Sequence, residues 1–213
     1  MDKARTDQTG WRTLTAQSHP SLLAHFLALN DEDRRRRFNQ PTPDWTIKRY
    51  VDGIDFERDT VFGVYDSPLT LDAVGHFVTL RDSARPRAAE FGVSVLQGTR
   101  GRGIGSALLD HAIAHARSLQ FSTLWIHFQS DNEAMMRIAR KAGMTIRCAY
   151  GEADAWLALA SSDDPIVQDN HCIKSRGHLH GVSVQCSREM ASGMLQVGAG
   201  LDPTAHRPAN SPA

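Results

Sequence analysis

The sequence lacks the features of a membrane or secreted protein. No apolar run reaches the roughly 18 residues that a membrane-spanning helix needs. The N-terminal segment MDKARTDQTGW is polar and has no apolar centre of the kind that a signal peptide carries. We therefore expect a protein without a membrane segment that works in the cytoplasm.

Cysteine is scarce. The three cysteines, Cys148, Cys172 and Cys186, have neither the spacing of a disulfide framework nor that of a zinc site. In a reducing cytoplasm their thiols stay free. Cys148 lies in an apolar segment, which predicts a core position. The pair His111 and His115 has helical spacing but no matching third ligand, so no metal site is predicted.

An excess of charge of either sign is also absent. Lys and Arg total 24 and Asp and Glu total 24, which gives a formal net charge of zero. The broad positive field of a non-specific nucleic-acid binder is therefore missing, and we expect no nucleic-acid partner. With 41% hydrophobic residues the chain can still build a core.

Aromatic residues are missing from the last quarter of the chain. Residues 161–213 contain no Phe, Trp or Tyr and are interrupted by Gly, Pro, Ser and Asn. Such a segment buries too little apolar surface to offset the entropy lost on ordering. We expect a disordered tail over 161–213 and one folded domain over 1–160.

The folded part has the patterns of a mixed α/β protein. Helices are predicted over 22–29 after a Ser21 cap, over 31–38, 44–54 and 104–119, and between a Ser130–Glu133 capping box and Gly143. Strands are predicted over 11–16, 60–65, 71–80, 88–97, 121–128, 145–150 and 153–158. The run Arg34 to Arg37 follows three acidic residues, which favours a solvated helix face with i,i+4 ion pairs.

The strongest chemical signal is the loop QGTRGRGIGS over 97–106. Glycines let a backbone turn sharply and approach a ligand closely. At the start of a helix such a loop aims unpaired N–H groups at an anion, and Arg100 and Arg102 add positive charge. The loop therefore predicts a diphosphate site.

Several ligands and one ligand-free alternative compete for this loop. A Walker A loop needs Lys and then Ser or Thr after its last glycine, but Ile104 and Gly105 occupy those positions. A dinucleotide fold needs G-x-G-x-x-G, and here the third glycine is replaced by Ser106. Acyl-coenzyme A is the third candidate. A glycine-rich β–α turn that binds nothing is the ligand-free alternative.

The pattern Arg100-x-x-Gly103-x-Gly105 after a strand resembles the pyrophosphate loop of the GNAT superfamily of N-acetyltransferases. The resemblance covers residues 10–160. Residues 89–95 resemble the fourth strand of that superfamily, and residues 132–144 resemble its second cofactor-contacting helix. The resemblance implies an α+β fold with a mixed, mostly antiparallel central sheet flanked by helices.

Within the superfamily, the sequence is most similar to the GNAT domains of bacterial protein-lysine acetyltransferases. The similarity lies in the acidic–Arg–Phe segment over 31–38, the Ala-Glu opening of the strand at Glu90, and the Asn-x-x-Met pair Asn132 and Met135. It does not extend to residues 161–213.

Glu90 is the candidate general base. A lysine-type ammonium has a pKa of about 10.4, so a base must remove a proton before the amine can attack at neutral pH. The resemblance points to a carboxylate at this position. Glu90 lies on the strand face opposite Phe91 and is flanked by Gly92 and Ser94, which are small and leave space. The alternative is a solvated or Arg-paired carboxylate.

The resemblance also implies acetyl-CoA as the co-substrate. The strand backbone would bind the pantetheine arm and the acyl oxygen, the loop would bind the pyrophosphate, and Asn132 would contact the pantetheine arm unless it only starts a helix. The predicted cofactor-binding residues are Val93, Ser94, Val95, Arg100, Gly101, Arg102, Gly103, Ile104, Gly105, Ser106 and Asn132.

One departure concerns the general acid. Many members of the superfamily carry a Tyr where this sequence has Ala139. A coenzyme A thiol has a pKa near 8.5, about that of cysteine, so its thiolate leaves without a strong acid. The sequence therefore predicts direct acetyl transfer to a primary amine, either a protein lysine or a small molecule. The alternative is a non-catalytic acyl-CoA-binding or regulatory module.

Overall fold

Seven strands and five α-helices make up the part of the chain that a computed structural model describes, residues 10–67, 70–80 and 87–159. The predicted tail over 161–213 lies outside these residues. The strands are β1 Gly10–Leu14, β2 Thr60–Ser67, β3 Thr70–Thr79, β4 Ala88–Val95, β5 Thr123–Gln129, β6 Thr145–Ala149 and β7 Glu152–Ala158. The helices are α1 His19–Leu27, α2 Asp31–Phe38, α3 Asp44–Asp52, α4 Ile104–Ser118 and α5 Glu133–Lys141.

The strands form one sheet in the order β1-β2-β3-β4-β5-β7-β6. Every neighbouring pair is antiparallel except β4 and β5, which are parallel. The prediction of a mixed, mostly antiparallel sheet flanked by helices is confirmed. The parallel pair sits in the middle of the sheet, where α4 makes the crossover between its two strands.

Two hydrophobic clusters cover the two faces of the sheet. On one face, α4 and α5 pack against strand residues such as Phe91 and Leu124. On the other face, Leu22, Phe26 and Ile47 bring α1 and α3 onto the sheet, and α2 adds Phe38. The alternation of β4 fits this division, because Ala89 and Phe91 point to the α4 side and Glu90 and Gly92 to the α2 side.

Two predicted helix starts are wrong. Helix α1 begins at His19, ahead of the predicted Ser21 cap, because Pro20 fits the first turn, where its missing N–H leaves no bond unmade. Helix α5 is capped by Asn132, whose side-chain oxygen accepts a hydrogen bond from the backbone N–H of Met135 at 3.2 Å; Ser130 is not the cap. Its end is as predicted, since Gly143 has a φ of 72° just beyond the helix.

The core position predicted for Cys148 is also wrong. Its side chain is exposed on β6, which is one of the two edge strands of the described sheet. On that strand Ile146 packs against the core, while the residues around it are exposed. A short edge strand has one neighbour only, so most of its side chains stay in water. Cys172 and Cys186 lie outside the described residues.

Candidate active site

The parallel strands β4 and β5 part in the middle of the sheet. Their ladder runs from Ala88 opposite Thr123 to Glu90 opposite Trp125. Strand β4 continues to Val95 and β5 to Gln129 without further pairing between them. We call this gap the wedge, and Glu90 stands at its apex. Along the wedge, β4 offers backbone N–H and C=O groups to an extended ligand, as a sheet edge does to an added strand.

Three of the predicted cofactor residues, Val93, Ser94 and Val95, lie on the wedge side of the apex. Their backbones line the wedge. The Ser94 side chain is turned away from it, because its hydroxyl donates to Nε2 of His25 at 2.7 Å. The other ring nitrogen of His25 donates to the Leu71 carbonyl at 2.7 Å, which fixes the neutral tautomer.

The glycine-rich loop leads from the end of β4 into α4. Gly101 and Gly103 have φ values of 78° and 79°, in the left-handed region that other residues adopt with strain. Gly103 is the N-cap of α4, so the first N–H groups of the helix, from Ile104 to Ser106, have no partner within the helix. These N–H groups and the helix dipole form an anion site in general terms.

The loop opens beside the wedge. A Cβ placed on Gly105 would lie 3.3 Å from Cδ1 of Ile138 and 3.8 Å from Cγ2 of Val95. The start of α4 therefore packs against α5 and the last residue of β4. The Ile104 side chain is buried in the core, so only its backbone faces the loop.

The two loop arginines differ in their surroundings. The guanidinium of Arg100 lies 2.6 Å from the carboxylate of Asp33, and its Nε donates to the Val95 carbonyl at 3.2 Å. Its side chain is thus directed toward α2 and the end of β4. Arg102 is exposed. Ser106 is half-buried at the start of α4, with its hydroxyl 3.4 Å from Nζ of Lys141.

Asn132 starts a helix. Its side chain is nearly buried, and its oxygen is engaged by the Met135 N–H of α5. This contact is the one expected if Asn132 starts the helix.

Glu90 is half-buried at the apex of the wedge. Burial raises the pKa of its carboxyl group above the usual value, and the positive charges of Arg37 and His127 oppose that rise. A raised carboxyl pKa favours proton uptake near neutral pH. The space that Gly92 was expected to leave free is filled, because a Cβ there would lie 2.7 Å from the Arg37 guanidinium.

Strands β5 and β7 add residues that local patterns did not single out as site residues. Trp125, which pairs with Glu90 in the ladder, has its ring centroid 5.3 Å from that of Trp156. His127 Nδ1 lies 2.6 Å from the Asp154 carboxylate, and this hydrogen bond raises the pKa of His127. The pairing of β5 with β7 creates both contacts. The sequence shows only the alternation of side chains along each strand, and this alternation does not reveal which strands pair.

The arrangement combines three chemical capacities around the wedge in the middle of the sheet. The loop can hold phosphates, the wedge can hold an extended chain by its backbone, and Glu90 can take a proton at the apex. Among the described residues, no three His, Cys, Asp or Glu side chains gather as metal ligands. None of the helices in the described ranges has the length and hydropathy to cross a bilayer.

Comparison with known proteins agrees with this geometry. Residues 27–144, more than half of the chain, match the model of the Acetyltransferase (GNAT) family. The chain belongs to that family.

Individual relatives are more distant. The mycothiol acetyltransferase of Propionibacterium freudenreichii subsp. shermanii is 28% identical over 137 residues, which are 62% of this chain and 39% of that protein. The chain thus matches well under half the length of that relative.

Solved structures share the fold. The GNAT domain of S. lividans PAT superposes with a TM-score of 0.59 at 21% identity, over 70% of this chain and 89% of that one. The protein yncA from Salmonella typhimurium, solved with its cofactor acetyl-CoA, superposes with a TM-score of 0.57 at 15% identity, over 75% and 99%.

Proposed function

We propose that this protein transfers an acetyl group from acetyl-CoA to a primary amine by direct attack of the amine on the thioester. The observation that carries the proposal is the parting of β4 and β5 immediately after Glu90. Glu90, the candidate base, thereby lies at the apex of the wedge, and the candidate phosphate loop lies beyond the last residue of β4.

The donor would be held mainly by backbone. The loop from Arg100 to Ser106 would take the pyrophosphate on its N–H groups, and the Val93–Val95 stretch would pair with the pantetheine arm. A β4 N–H in the wedge would stabilise the negative charge that develops on the acyl oxygen. Arg100 would add its charge to the phosphate site while sharing the carboxylate of Asp33, and the exposed Arg102 would add a second positive charge.

Glu90 would handle the first proton. It accepts a proton from the ammonium form of the acceptor, directly or through a water, and frees the nitrogen lone pair. The nitrogen then forms the bond to the acyl carbon, and the C–S bond breaks. The second nitrogen proton is taken up by the departing sulfur, so the products are the amide and free coenzyme A, and Glu90 returns its proton to solvent.

No tyrosine is needed for this step. Ala139, at the position where many relatives carry a Tyr, is fully buried in the core. A thiolate with a pKa of about 8.5 is a good enough leaving group without a general acid.

The acceptor class is a protein lysine or a small amine. Trp125 and Trp156 lie on the Glu90 face of the sheet, and indole rings suit the methylene chain or the cationic end of such an amine. The resemblance to protein-lysine acetyltransferases favours lysine. A cytoplasmic location and an acceptor other than nucleic acid remain predictions from composition.

A thiol-release assay tests the proposal. Acetyl-CoA and the full chain are combined with a panel of lysine peptides, polyamines and amino acids, and free coenzyme A is measured. We expect release that depends on at least one amine. Tight acetyl-CoA binding without release for any amine would support the alternative, a non-catalytic acyl-CoA-binding module.

A further inference from the structure

The guanidinium of Arg37 occupies a defined place beside the candidate base. Arg37 extends from α2 onto β4, where a Cβ on Gly92 would lie 2.7 Å from its Cζ and Nη2. Gly92 and Glu90 are two residues apart on one face of the strand, which separates them by about 7 Å. The charge of Arg37 therefore lies on the Glu90 face of β4, one two-residue repeat along the strand, and acts on the Glu90 carboxyl group by Coulombic attraction.

A chain of hydrogen bonds fixes this guanidinium. Nη2 of Arg37 donates to the Tyr50 hydroxyl at 2.7 Å, and that hydroxyl donates to Nδ1 of His76 at 2.7 Å. Nε2 of His76 in turn donates to the Asp59 carboxylate at 3.1 Å. Burial lowers the pKa of His76, so the ring is neutral and its single N–H points to Asp59. The hydrogen bonds thus fix the orientation of the Arg37, Tyr50 and His76 side chains.

Aromatic rings enclose the same side chain. The Arg37 guanidinium carbon lies 5.8 Å from the ring centroid of Phe26, 5.2 Å from that of Phe38 and 5.5 Å from that of Tyr50. These cation–π contacts limit its movement without cancelling its charge. None of the ion pairs within the described ranges includes Arg37.

The charged groups that act on Glu90 come from three elements. Arg37 of α2 and His127 of β5 favour the ionised carboxylate, and Asp154 of β7 opposes it. His127 is hydrogen-bonded to Asp154, so much of its charge is offset within that pair. Arg37 is in none of the ion pairs between described residues and is the stronger of the two positive influences on Glu90.

We propose that Arg37 is a positioning residue for the base: its guanidinium, fixed by Asp59, His76 and Tyr50, supplies the positive charge that holds the Glu90 carboxylate at the apex of the wedge. The inference rests on the proposed function, in which Glu90 takes the proton of the amine. Gly92 has a second purpose in this arrangement, since any larger side chain there would displace the guanidinium.

The test follows the titration of Glu90 itself in the full chain. Glutamate carboxyl carbons are labelled with ¹³C, and the Glu90 signal is identified by its loss in Glu90→Gln. Titrations are compared for the wild type, Arg37→Gln, Arg37→Lys and Arg35→Gln. Arg35 is the matched control, because it lies exposed on the same helix, pairs with Asp131 at 3.9 Å and carries the same charge.

We expect the Glu90 midpoint to rise in Arg37→Gln and to stay at the wild-type value in Arg35→Gln. Arg37→Lys restores most of the wild-type behaviour, because it keeps the charge. In the amine-transfer assay, kcat/KM falls about tenfold more between pH 8 and pH 6 for Arg37→Gln than for Arg35→Gln, because less of the base is ionised at the lower pH.

Two milder variants keep the test decisive if Arg37→Gln does not fold. Tyr50→Phe keeps the ring and removes the hydroxyl that links Arg37 to His76. Gly92→Ala places a methyl group where the guanidinium lies. Both should raise the Glu90 midpoint, though less than Arg37→Gln.

The outcomes separate the two hypotheses. The role of Arg37 is overturned if every folded variant has the same Glu90 titration midpoint as the Arg35→Gln control. Midpoints that rise while the pH–rate profile stays unchanged uphold the electrostatic effect of Arg37 on Glu90 and overturn Glu90 as the base. If the wild type transfers acetyl to no amine, the proposed function fails, and the titration still decides whether Arg37 controls Glu90.

Discussion

The carboxylate of Asp33 lies 2.6 Å from the guanidinium of Arg100 and joins helix α2 to the loop that begins α4. Asp33 is nearly buried, and its own N–H is bonded to the Asn30 side chain that caps α2. The helix that carries Arg37 toward Glu90 is thereby connected to the loop that would bind pyrophosphate. Helix α2 thus contacts both the Glu90 side of the site and the glycine-rich loop.

Removing this ion pair should reduce stability. Asp33→Asn is expected to lower the free energy of unfolding by about 1–2 kcal/mol, since the guanidinium of Arg100 loses its ionic partner; the loss stays small because the Arg100 side chain is partly exposed and water replaces part of the interaction. Urea unfolding measures the change. In a double-mutant cycle with Arg100→Met, the two effects should be clearly less than additive; full additivity would show that the pair contributes no stability.

Replacing the candidate base Glu90 should affect turnover and leave donor binding intact. Glu90→Gln is expected to reduce kcat about 100- to 10,000-fold, because the amide cannot accept the proton. The Kd for acetyl-CoA, measured by calorimetry, should change less than about twofold, since the donor would be held by backbone groups elsewhere. Glu133→Gln, at the exposed start of α5, is the control. Equal losses of turnover and of binding, or no loss, would remove Glu90 from the role of base.

A bulky side chain in the glycine-rich loop should prevent donor binding. Gly103 has a left-handed φ of 79° at the N-cap of α4, and an indole there would cover the N–H groups of the first turn. Gly103→Trp should weaken acetyl-CoA binding more than about 100-fold in calorimetry, with the circular dichroism spectrum unchanged. Gly98→Trp, in the same loop but outside the left-handed region, is the control. Unchanged affinity in Gly103→Trp would refute the assignment of the loop.

Buried histidines should make the protein less stable as the pH falls below neutrality. Burial lowers the pKa of His25 to about 4, so between pH 6.5 and 4 the unfolded chain takes up a proton that the native ring refuses. The stability contributed by the neutral ring is present above pH 6.5 and is lost toward pH 4, a change on the order of 3 kcal/mol. The lowered pKa of His76 acts with the same sign.

Urea unfolding at several pH values tests this prediction. In His25→Gln the slope of stability against pH between 6.5 and 4.5 should be flatter than in the wild type, whatever the absolute stability of the variant. His127 has a raised pKa and acts with the opposite sign at higher pH, so it does not mask the effect. Parallel slopes would contradict the assignment to His25.

The sequence was sufficient for the features that depend on neighbours along the chain. The alternation around Phe91 predicts a strand with Glu90 on its opposite face, and the apolar repeat from Ile104 to Ala116 predicts the helix that follows. The positive φ of Gly103 and of Gly143 also agrees with the sharp backbone turns that glycines at these positions indicate. Such signals are local, because backbone conformation and side-chain periodicity are set within a few residues.

The basic run shows where local reasoning stops. The i,i+4 pairing of Arg36 with Glu32 is as predicted, and both side chains are on the surface of α2. The prediction of a solvated face is wrong for Arg37, which is half-buried and enclosed by three aromatic rings. Nothing in the sequence near Arg37 distinguishes it from Arg36. The difference arises because Phe26, Tyr50 and Gly92, all distant in sequence, come together beneath that one turn of helix.

The sequence by itself determined the order of the elements, the glycine-rich loop and the candidate base, since each follows from residue types at short spacing. The tertiary structure alone decided that β4 and β5 part after Glu90, that Asp33 engages Arg100, and that Arg37 packs against Gly92 on the Glu90 face of β4. These contacts depend on which strands pair and which helix covers them. Strand pairing and helix position are set by the packing of the whole core. The residues that are brought together show no periodic pattern in the sequence that would reveal the contact.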